Sequence, residues 1–461
     1  MAERMGPRPR PTGRWLAAAP LACWLLLPGR LGADEAAWVR SALREHPALD
    51  ATDRLAAATA ARATALKGLP PPMLRASISN IGIPAHETPW LSLMVEQELT
   101  PSALRKAQVS TQRAMADAER LQRWPVRAAL GLAARQAHLA LRDQRAKIEL
   151  LRGHLRHAAI LAGWVQRLAG SGRMGVGSAL ARLHADEAAL RAELEALEAR
   201  APWLEAQARL LLGLAPSDPL PPVDLSPAAS PTATAEETAD PDGAQAMPAQ
   251  AGANPPLEHP ALRRLAAQEA VAALRQRAER AAGAPTLRPG FGVMSMPGMP
   301  FGVMFSLGLS APNAPTQRAS RAATGDAARL ERQAATAQRA GGLRALQGKL
   351  AAAMAELDAA RARHTALKER VLPLQQRAIA VASAEVATGR GSVADVLIEQ
   401  HALWRLELSV LDADRAVWVA RAGLIALWVG GEGGAGVGAD MADMDGMAAL
   451  PGGGGDDMGG H

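Results

Sequence analysis

The chain contains few of the residues on which β-sandwiches and disulfide-bonded domains depend. Its 461 residues include no Tyr, three Phe and one Cys, and aromatic residues make up only 3% of the total. Because sheets are enriched in aromatic and β-branched residues, this composition argues against a β-sandwich over most of the chain. A single cysteine cannot form a disulfide within the chain, so packing alone must stabilise the fold.

The sequence also lacks the motifs of common enzyme classes. No phosphate-binding glycine loop follows a predicted strand, and no histidine-rich motif of hydrolase type occurs, so we expect neither catalysis nor a cofactor. The glycine-rich residues 170–178 lie between two predicted helices, where they fit a hairpin turn. His154 and His157 are three residues apart and are a weak candidate for a metal site. With Arg152 and Arg156 beside them, a solvated helix face is the better interpretation.

What the chain does contain is typical of long helices. Apolar residues make up 49% of it, and Ala and Leu dominate. The 51 basic and 45 acidic residues give a formal charge of +6, but the Arg residues are scattered through Ala- and Glu-rich stretches. This pattern predicts solvated helix faces and argues against nucleic acid as a partner.

The first 33 residues have the order of a secretory signal peptide. Arginines precede an apolar run from Trp15 to Leu27, and small residues end at Ala33, after which we expect cleavage. The run is shorter than the ~20 apolar residues of a transmembrane helix, and no other stretch of the sequence reaches that length. Cys23 is either a lipidation site or one more apolar residue of the signal. The second interpretation is favoured because the apolar run continues past it.

An internal duplication organises the rest of the chain. The motif Glu-His-Pro-Ala-Leu at 45–49 recurs 213 residues later at 258–262, and Leu74-Arg75 meets Leu287-Arg288 at the same offset. The segment between the copies has ten Pro and no Lys or Arg, and the C-terminal tail is rich in Gly and Asp. The predicted units are a signal peptide (1–33), a first repeat (34–214), a linker (215–257), a second repeat (258–429) and a disordered tail (430–461).

Each repeat predicts a helix, two strands and a long helical hairpin. The first helix is expected from about Asp34 to Lys67. The strands are expected at 74–83, 90–100, 287–296 and 301–311, about the length of tilted transmembrane strands, and the second and fourth alternate apolar with polar residues. For any one strand, a half-buried position in a soluble sheet is the alternative.

The helical patterns are too long for a compact domain. Residues 102–169 are almost continuously helical in pattern, which corresponds to about 100 Å. In the second repeat, apolar residues follow a heptad spacing over 343–381 and again over 403–427. The turn between these stretches, at 389–392, is short, so the two helices are expected to lie antiparallel. Pro125, Pro202 and Pro373 are expected to bend their helices.

The order of elements, together with the segments Val371-Leu372-Pro373 and 384–397 (AEVATGRGSVADVL), resembles TolC-type outer-membrane efflux channels, particularly the heavy-metal efflux branch. One departure is Val386, where the family usually has Tyr. The resemblance implies a mainly α protein with a small β part. Duplicated long-helix hairpins and four transmembrane β-strands per protomer would form a trimeric α/β-barrel channel.

The resemblance also implies a function and partners. The chain would be a homotrimeric exit duct in the outer membrane of a Gram-negative cell, extending into the periplasm and working with a periplasmic adaptor and an inner-membrane pump. The residues expected at the periplasmic mouth are Gly172, Arg173, Gly389, Arg390 and Asp395. A periplasmic coiled-coil interaction protein without a pore is the alternative, but it leaves the amphipathic strands unexplained. An adaptor would need a long all-β segment between two helices, which the sequence does not contain.

Methionines suggest what such a duct would export. Thioethers suit Cu(I) or Ag(I), and they occur in the tail among acidic residues and a terminal histidine. The candidate ligands there are Met441, Asp443, Met444, Asp445, Met447, Met458 and His461. The alternative is a mobile tail that only keeps the terminus soluble. A second cluster, Met294, Met296, Met299 and Met304, surrounds a predicted strand turn, where packing at the lipid interface or in the lumen is the favoured interpretation.

Overall fold

The computed structural model describes residues 31–44, 46–79, 90–169, 176–223, 259–295, 301–310 and 315–431. Within these residues the chain forms long helices and one four-stranded sheet, which confirms the predicted mainly α class. The helices are α1 (Leu31–Leu43), α2 (Pro47–Ala65), α3 (Ser102–Leu121), α4 (Arg123–Ala169), α5 (Val176–Leu211), α6 (Pro260–Ala281), α7 (Pro315–Thr365), α8 (Leu372–Thr388) and α9 (Val393–Val429). The strands are β1 (Met73–Ser79), β2 (Trp90–Glu96), β3 (Thr286–Ser295) and β4 (Gly302–Ser310).

The duplicated His-Pro motif is a helix start. The prediction of one helix over 34–67 is wrong, because Pro47 begins a separate helix whose preceding residue, His46, has extended dihedrals. The Nδ1 atom of His46 accepts a hydrogen bond from the Ala48 amide at 3.2 Å. In the second repeat the His259 Nδ1 accepts from the Ala261 amide, also at 3.2 Å. In both repeats a histidine therefore caps a helix that opens with proline.

The long helices give the molecule its length. The predicted helix over 102–169 is divided at Gln122. Pro125 is therefore the third residue of α4, where an N–H group would have no acceptor within the helix, so the proline removes no helical hydrogen bond. At 47 and 51 residues, α4 and α7 span about 70 and 75 Å. The first packs against α5 and α9, and the second packs against α6 and α9.

The heptad seam is present over most of its predicted length. Buried residues of α7 and α9 meet there, which confirms the antiparallel pairing: Leu346, Leu350, Leu357, Val417, Ala420 and Leu424. Along α8 the prediction is wrong, because Leu374 and Val381 are 60% and 58% exposed while Ala382 and Val386 are buried. A π-helical turn over 366–371 precedes α8. Such a turn holds one residue more than an α-turn, so it shifts the buried face by one position.

The sheet is an antiparallel meander in the order β1-β2-β3-β4. Its register places Ala76 opposite Leu93, Leu93 opposite Val293, and Val293 opposite Val303. Both repeats therefore contribute to one sheet, at the end of the long helices. Among the described helices, none is long and apolar enough to cross a membrane.

The beginning of the predicted linker packs against the first repeat. Leu220 and Val223 lie against the cluster around the fully buried Trp38, whose indole donates a hydrogen bond to the Pro222 carbonyl at 3.4 Å.

Helix α1 begins at Leu31, ahead of the predicted cleavage site. Cys23, residues 224–258 and the tail from residue 432 lie outside the described residues.

Candidate functional site

One face of the sheet is a continuous exposed apolar surface. Side chains from all four strands form it, and we call it the apolar band: Leu74, Ile78, Leu91, Leu93, Val95, Phe291, Val293, Val303, Phe305, Leu307 and Leu309. Phe305 and Leu307 are 78% and 74% exposed. Apolar surface this extensive on a protein marks contact with lipid or with another molecule.

The opposite face of the sheet is polar. The hydroxyls of Ser77 and Ser92 are hydrogen-bonded at 2.7 Å. Just beyond β2, the Glu98 carboxylate pairs with Arg288 at 3.1 Å. The sheet is thus amphipathic across its whole width, as the alternation in the sequence predicted.

The edges of the sheet are free in the described part of the chain, since β1 and β4 each pair on one side only. Such edges present a row of unpaired backbone donors and acceptors. In lipid these groups must be satisfied by hydrogen bonds within the protein. The apolar band can therefore lie in a membrane only if further strands join both edges.

No family model matches the chain, and no curated protein sequence matches it. Solved structures do match. CusC, which forms a transmembrane channel, is 17% identical at a TM-score of 0.71, and the match covers 88% of this chain and 96% of CusC. The outer-membrane channel OprN is 18% identical at 0.69, with 93% and 99% coverage. The outer-membrane protein VceC from Vibrio cholerae is 16% identical at 0.67, with 87% and 97% coverage.

The chain has the fold of these outer-membrane channels. The match extends over nearly the whole length of each, so both repeats and the sheet are included. CusC and OprN are channels, and VceC is an outer-membrane protein. The predicted fold class of the protomer, mainly α with a small β part of four strands, is confirmed.

The loop between α8 and α9, here called the hairpin end, is built by glycine and a capping box. Gly389 closes α8 with a φ of 78°, in the left-handed region that favours glycine. Ser392 caps α9, and its own amide donates to the Asp395 carboxylate at 3.3 Å. Arg390 is exposed beside this box. Gly172 and Arg173, predicted for the other hairpin end, lie outside the described residues.

Val386 lies directly beneath the hairpin end. It is 1% exposed and belongs to a core cluster that also includes Val393. A small apolar side chain suits this enclosed position.

A buried histidine cluster joins α4 to α9. The His154 Nε2 lies 2.7 Å from the Glu407 carboxylate, and the imidazole stacks on Trp404 at 5.4 Å. The side chain is only 5% exposed, so the interpretation as a solvated face is wrong for His154. Burial, and next the nearby His154, lower the pKa of His157, partly offset by a hydrogen bond with Gln400. Across the described ranges no group of three or more His, Cys, Asp or Glu residues could hold a metal ion.

A charged network lies further along the same two helices. The Lys147 ammonium is 3.2 Å from Asp143 and 2.8 Å from Asp412, and Arg415 lies 3.5 Å from Asp143. Burial raises the pKa of Asp143 despite these two cations. Burial lowers the pKa of Lys147, but its two carboxylate partners outweigh this effect and the net pKa is raised. The i,i+4 spacing of Asp143 and Lys147 is visible in the sequence, whereas the partners on α9 are not.

Proposed function

We propose that the chain is a member of the TolC-type outer-membrane efflux family and forms the exit duct of a tripartite efflux system. The observation that carries this proposal is the amphipathic four-stranded sheet with two free edges, joined to helices about 70 Å long. The apolar band would lie in the outer membrane of a Gram-negative cell, and the helices would extend into the periplasm. A periplasmic adaptor would then connect the duct to an inner-membrane pump.

Three copies would complete the barrel. In an antiparallel meander with an even number of strands, β4 of one protomer can pair antiparallel with β1 of the next, so the alternation continues around the ring. Three protomers would give twelve strands with no free edge. Leu374, Val381 and Ile398, all at least half exposed on α8 and α9, supply apolar helix surface for contacts with neighbouring copies.

The full-length protein is expected to be a trimer in detergent, because an incomplete barrel leaves its edges unpaired. Size-exclusion chromatography with light scattering measures the protein mass, which should be three times that of the processed chain. A stable monomer contradicts the barrel. Carbonate or high-salt washing of membranes provides an independent check, since it should release a pore-less coiled-coil protein and leave a barrel in the membrane.

The hairpin ends would form the periplasmic mouth that meets the adaptor and restricts the open duct. Arg390 and Asp395 are exposed and charged, so they would pair between protomers at little cost in stability. The combined variant Arg390→Gln, Asp395→Asn is therefore expected to raise single-channel conductance in planar bilayers. Asn retains an oxygen that can accept the Ser392 amide, so the capping box is kept while the charge is removed.

Asp395→Ala serves as the matched comparison for that experiment. It removes the charge together with the acceptor of the Ser392 amide, and the loss of this hydrogen bond should also cost about 0.5–1.5 kcal/mol of stability. If the Gln/Asn variant forms intact trimers with unchanged conductance, these residues do not restrict the mouth.

The exported substrate would be a soft metal ion such as Cu(I) or Ag(I), and the tail would collect it. This part of the proposal is supported by the Met and Asp residues between 441 and 461. Deletion of residues 434–461 is expected to leave trimer yield unchanged and to lower cellular resistance to copper or silver. Titration of the tail peptide with Cu(I) provides the direct measurement. Absence of micromolar binding would leave the tail with a role in solubility only.

A further inference from the structure

Methionines are concentrated on the polar face of the sheet. The strand register places Met94 opposite Gly292, and Gly292 opposite Met304, so the two methionines flank a glycine in one row across three strands. Met294 lies in the adjacent row, between Ser92 and Gly302. All three methionines are half-buried and lie on the face opposite to the apolar band. In the proposed channel Met294 and Met304 would therefore line the lumen and not the lipid-facing surface.

Glycines leave room around the thioethers. Neighbouring strands are about 4.8 Å apart, so the α-carbons of Met94 and Met304 lie about 10 Å apart across Gly292, a separation that two methionine side chains can span. The Ser306 hydroxyl donates to the Met94 sulfur at 3.1 Å, which places that sulfur across β3 toward β4. A Cβ added to Gly290 would lie 3.0 Å from the same sulfur. The methionine thus occupies space that the absent side chain of Gly290 leaves open.

Among the described residues of this face, the charges are paired and not in excess. Glu96 lies 3.9 Å from Arg75 and Glu98 lies 3.1 Å from Arg288, so each carboxylate has a guanidinium partner. A hard cation finds no excess of negative charge there. Neutral thioethers, in contrast, are suitable ligands for a soft monovalent ion.

We propose that Met94, Met294 and Met304 form a binding site for Cu(I) or Ag(I) on the lumenal wall of the barrel. The proposal rests on the proposed channel, since only a closed barrel makes this face a lumen. A trimer would then present nine thioethers around the pore at nearly one level. Several weak, neighbouring sites suit an ion that must enter and also leave.

The test is block of single-channel current by silver in planar bilayers containing the full-length protein. Ag⁺ is the probe because it needs no reductant, and a nitrate electrolyte prevents precipitation of silver chloride. Micromolar Ag⁺ is expected to lower the conductance reversibly. The variant Met94→Leu, Met294→Leu, Met304→Leu keeps the side-chain size but removes the sulfur atoms. It should conduct normally and require at least tenfold more Ag⁺ for the same block.

Two controls isolate the site. Met354→Leu alters a methionine packed in the helical core away from the sheet, and deletion of residues 434–461 removes the tail methionines. Both should retain the silver sensitivity of the parent. If the triple variant fails to insert, Met304→Leu alone should shift the blocking concentration in the same direction.

The possible failures are distinguishable. A channel that conducts but is indifferent to Ag⁺, or a triple variant that is blocked like the parent, overturns the site and leaves the channel proposal standing. Absence of any conductance from the parent protein overturns the channel proposal, and the site with it.

Discussion

The Leu307→Arg variant is expected to lose about 2–4 kcal/mol of folding free energy per protomer in lipid, because a charged side chain near the middle of the bilayer loses its hydration. Leu307 is 74% exposed in the centre of β4 and belongs to the apolar band. Urea unfolding of the protein in lipid vesicles measures the loss, and the yield in the outer-membrane fraction should fall with it.

Leu210→Arg is the matched control for this substitution. Leu210 is 81% exposed near the C-terminal end of α5, so the same change in side chain is made at a position of similar exposure outside the sheet. In water such a substitution usually changes stability by less than about 0.5 kcal/mol. Equal losses at the two positions, or no loss at Leu307, contradict the placement of the apolar band in lipid.

The Lys147→Met variant is expected to lose about 2–3 kcal/mol at neutral pH, because it leaves the Asp143 carboxylate buried without its nearest cation. The Asp143 side chain is 11% exposed, whereas Arg415 remains 3.5 Å away and limits the loss. Adding Asp143→Asn to this variant removes the buried charge and should restore most of the stability.

The loss in Lys147→Met should depend on pH in a defined direction. Burial already raises the pKa of Asp143 above its ordinary value of 3.8, and removal of Lys147 raises it further. Between the unfolded and the folded pKa the folded protein holds a proton that the unfolded chain has released. The Asp143 contribution to stability therefore falls as pH rises through this window. Urea unfolding at pH 5 and pH 8 should give the smaller loss at pH 5. A loss that is equal at both pH values, and that Asp143→Asn does not restore, contradicts this account.

The types of the elements are predictable from the sequence because each depends on a local period. Alternation over Leu91, Leu93 and Val95 predicts one exposed face of a strand, and the heptads predict the pairing of α7 with α9. The shift of the buried face along α8 is not predictable in this way. It depends on a π-turn next to Pro373, and the residues of such a turn follow no distinct hydrophobic pattern.

The candidate site is also predictable only in part. The two faces of the sheet can be predicted from the pattern of each strand alone. The methionine row cannot, because it depends on the register between β2, β3 and β4. The contact of His154 with Glu407 joins residues that are 253 positions apart. On its own helix the close polar neighbours of His154 are Arg152, Arg156 and His157, a pattern that also suits a solvated face, so nothing in the sequence marks it as buried.

The two repeats share a geometric property that bears on how such a chain can arise. In the second, the His259 side chain at the start of α6 donates from Nε2 to the Leu427 carbonyl near the end of α9, at 3.0 Å. In the first, Trp38 of α1 packs against Leu212, just after the end of α5. Each unit therefore returns to the place where it began. A gene encoding one such unit could be copied in tandem without rearranging either copy, because the end of the first copy already lies close to its own beginning.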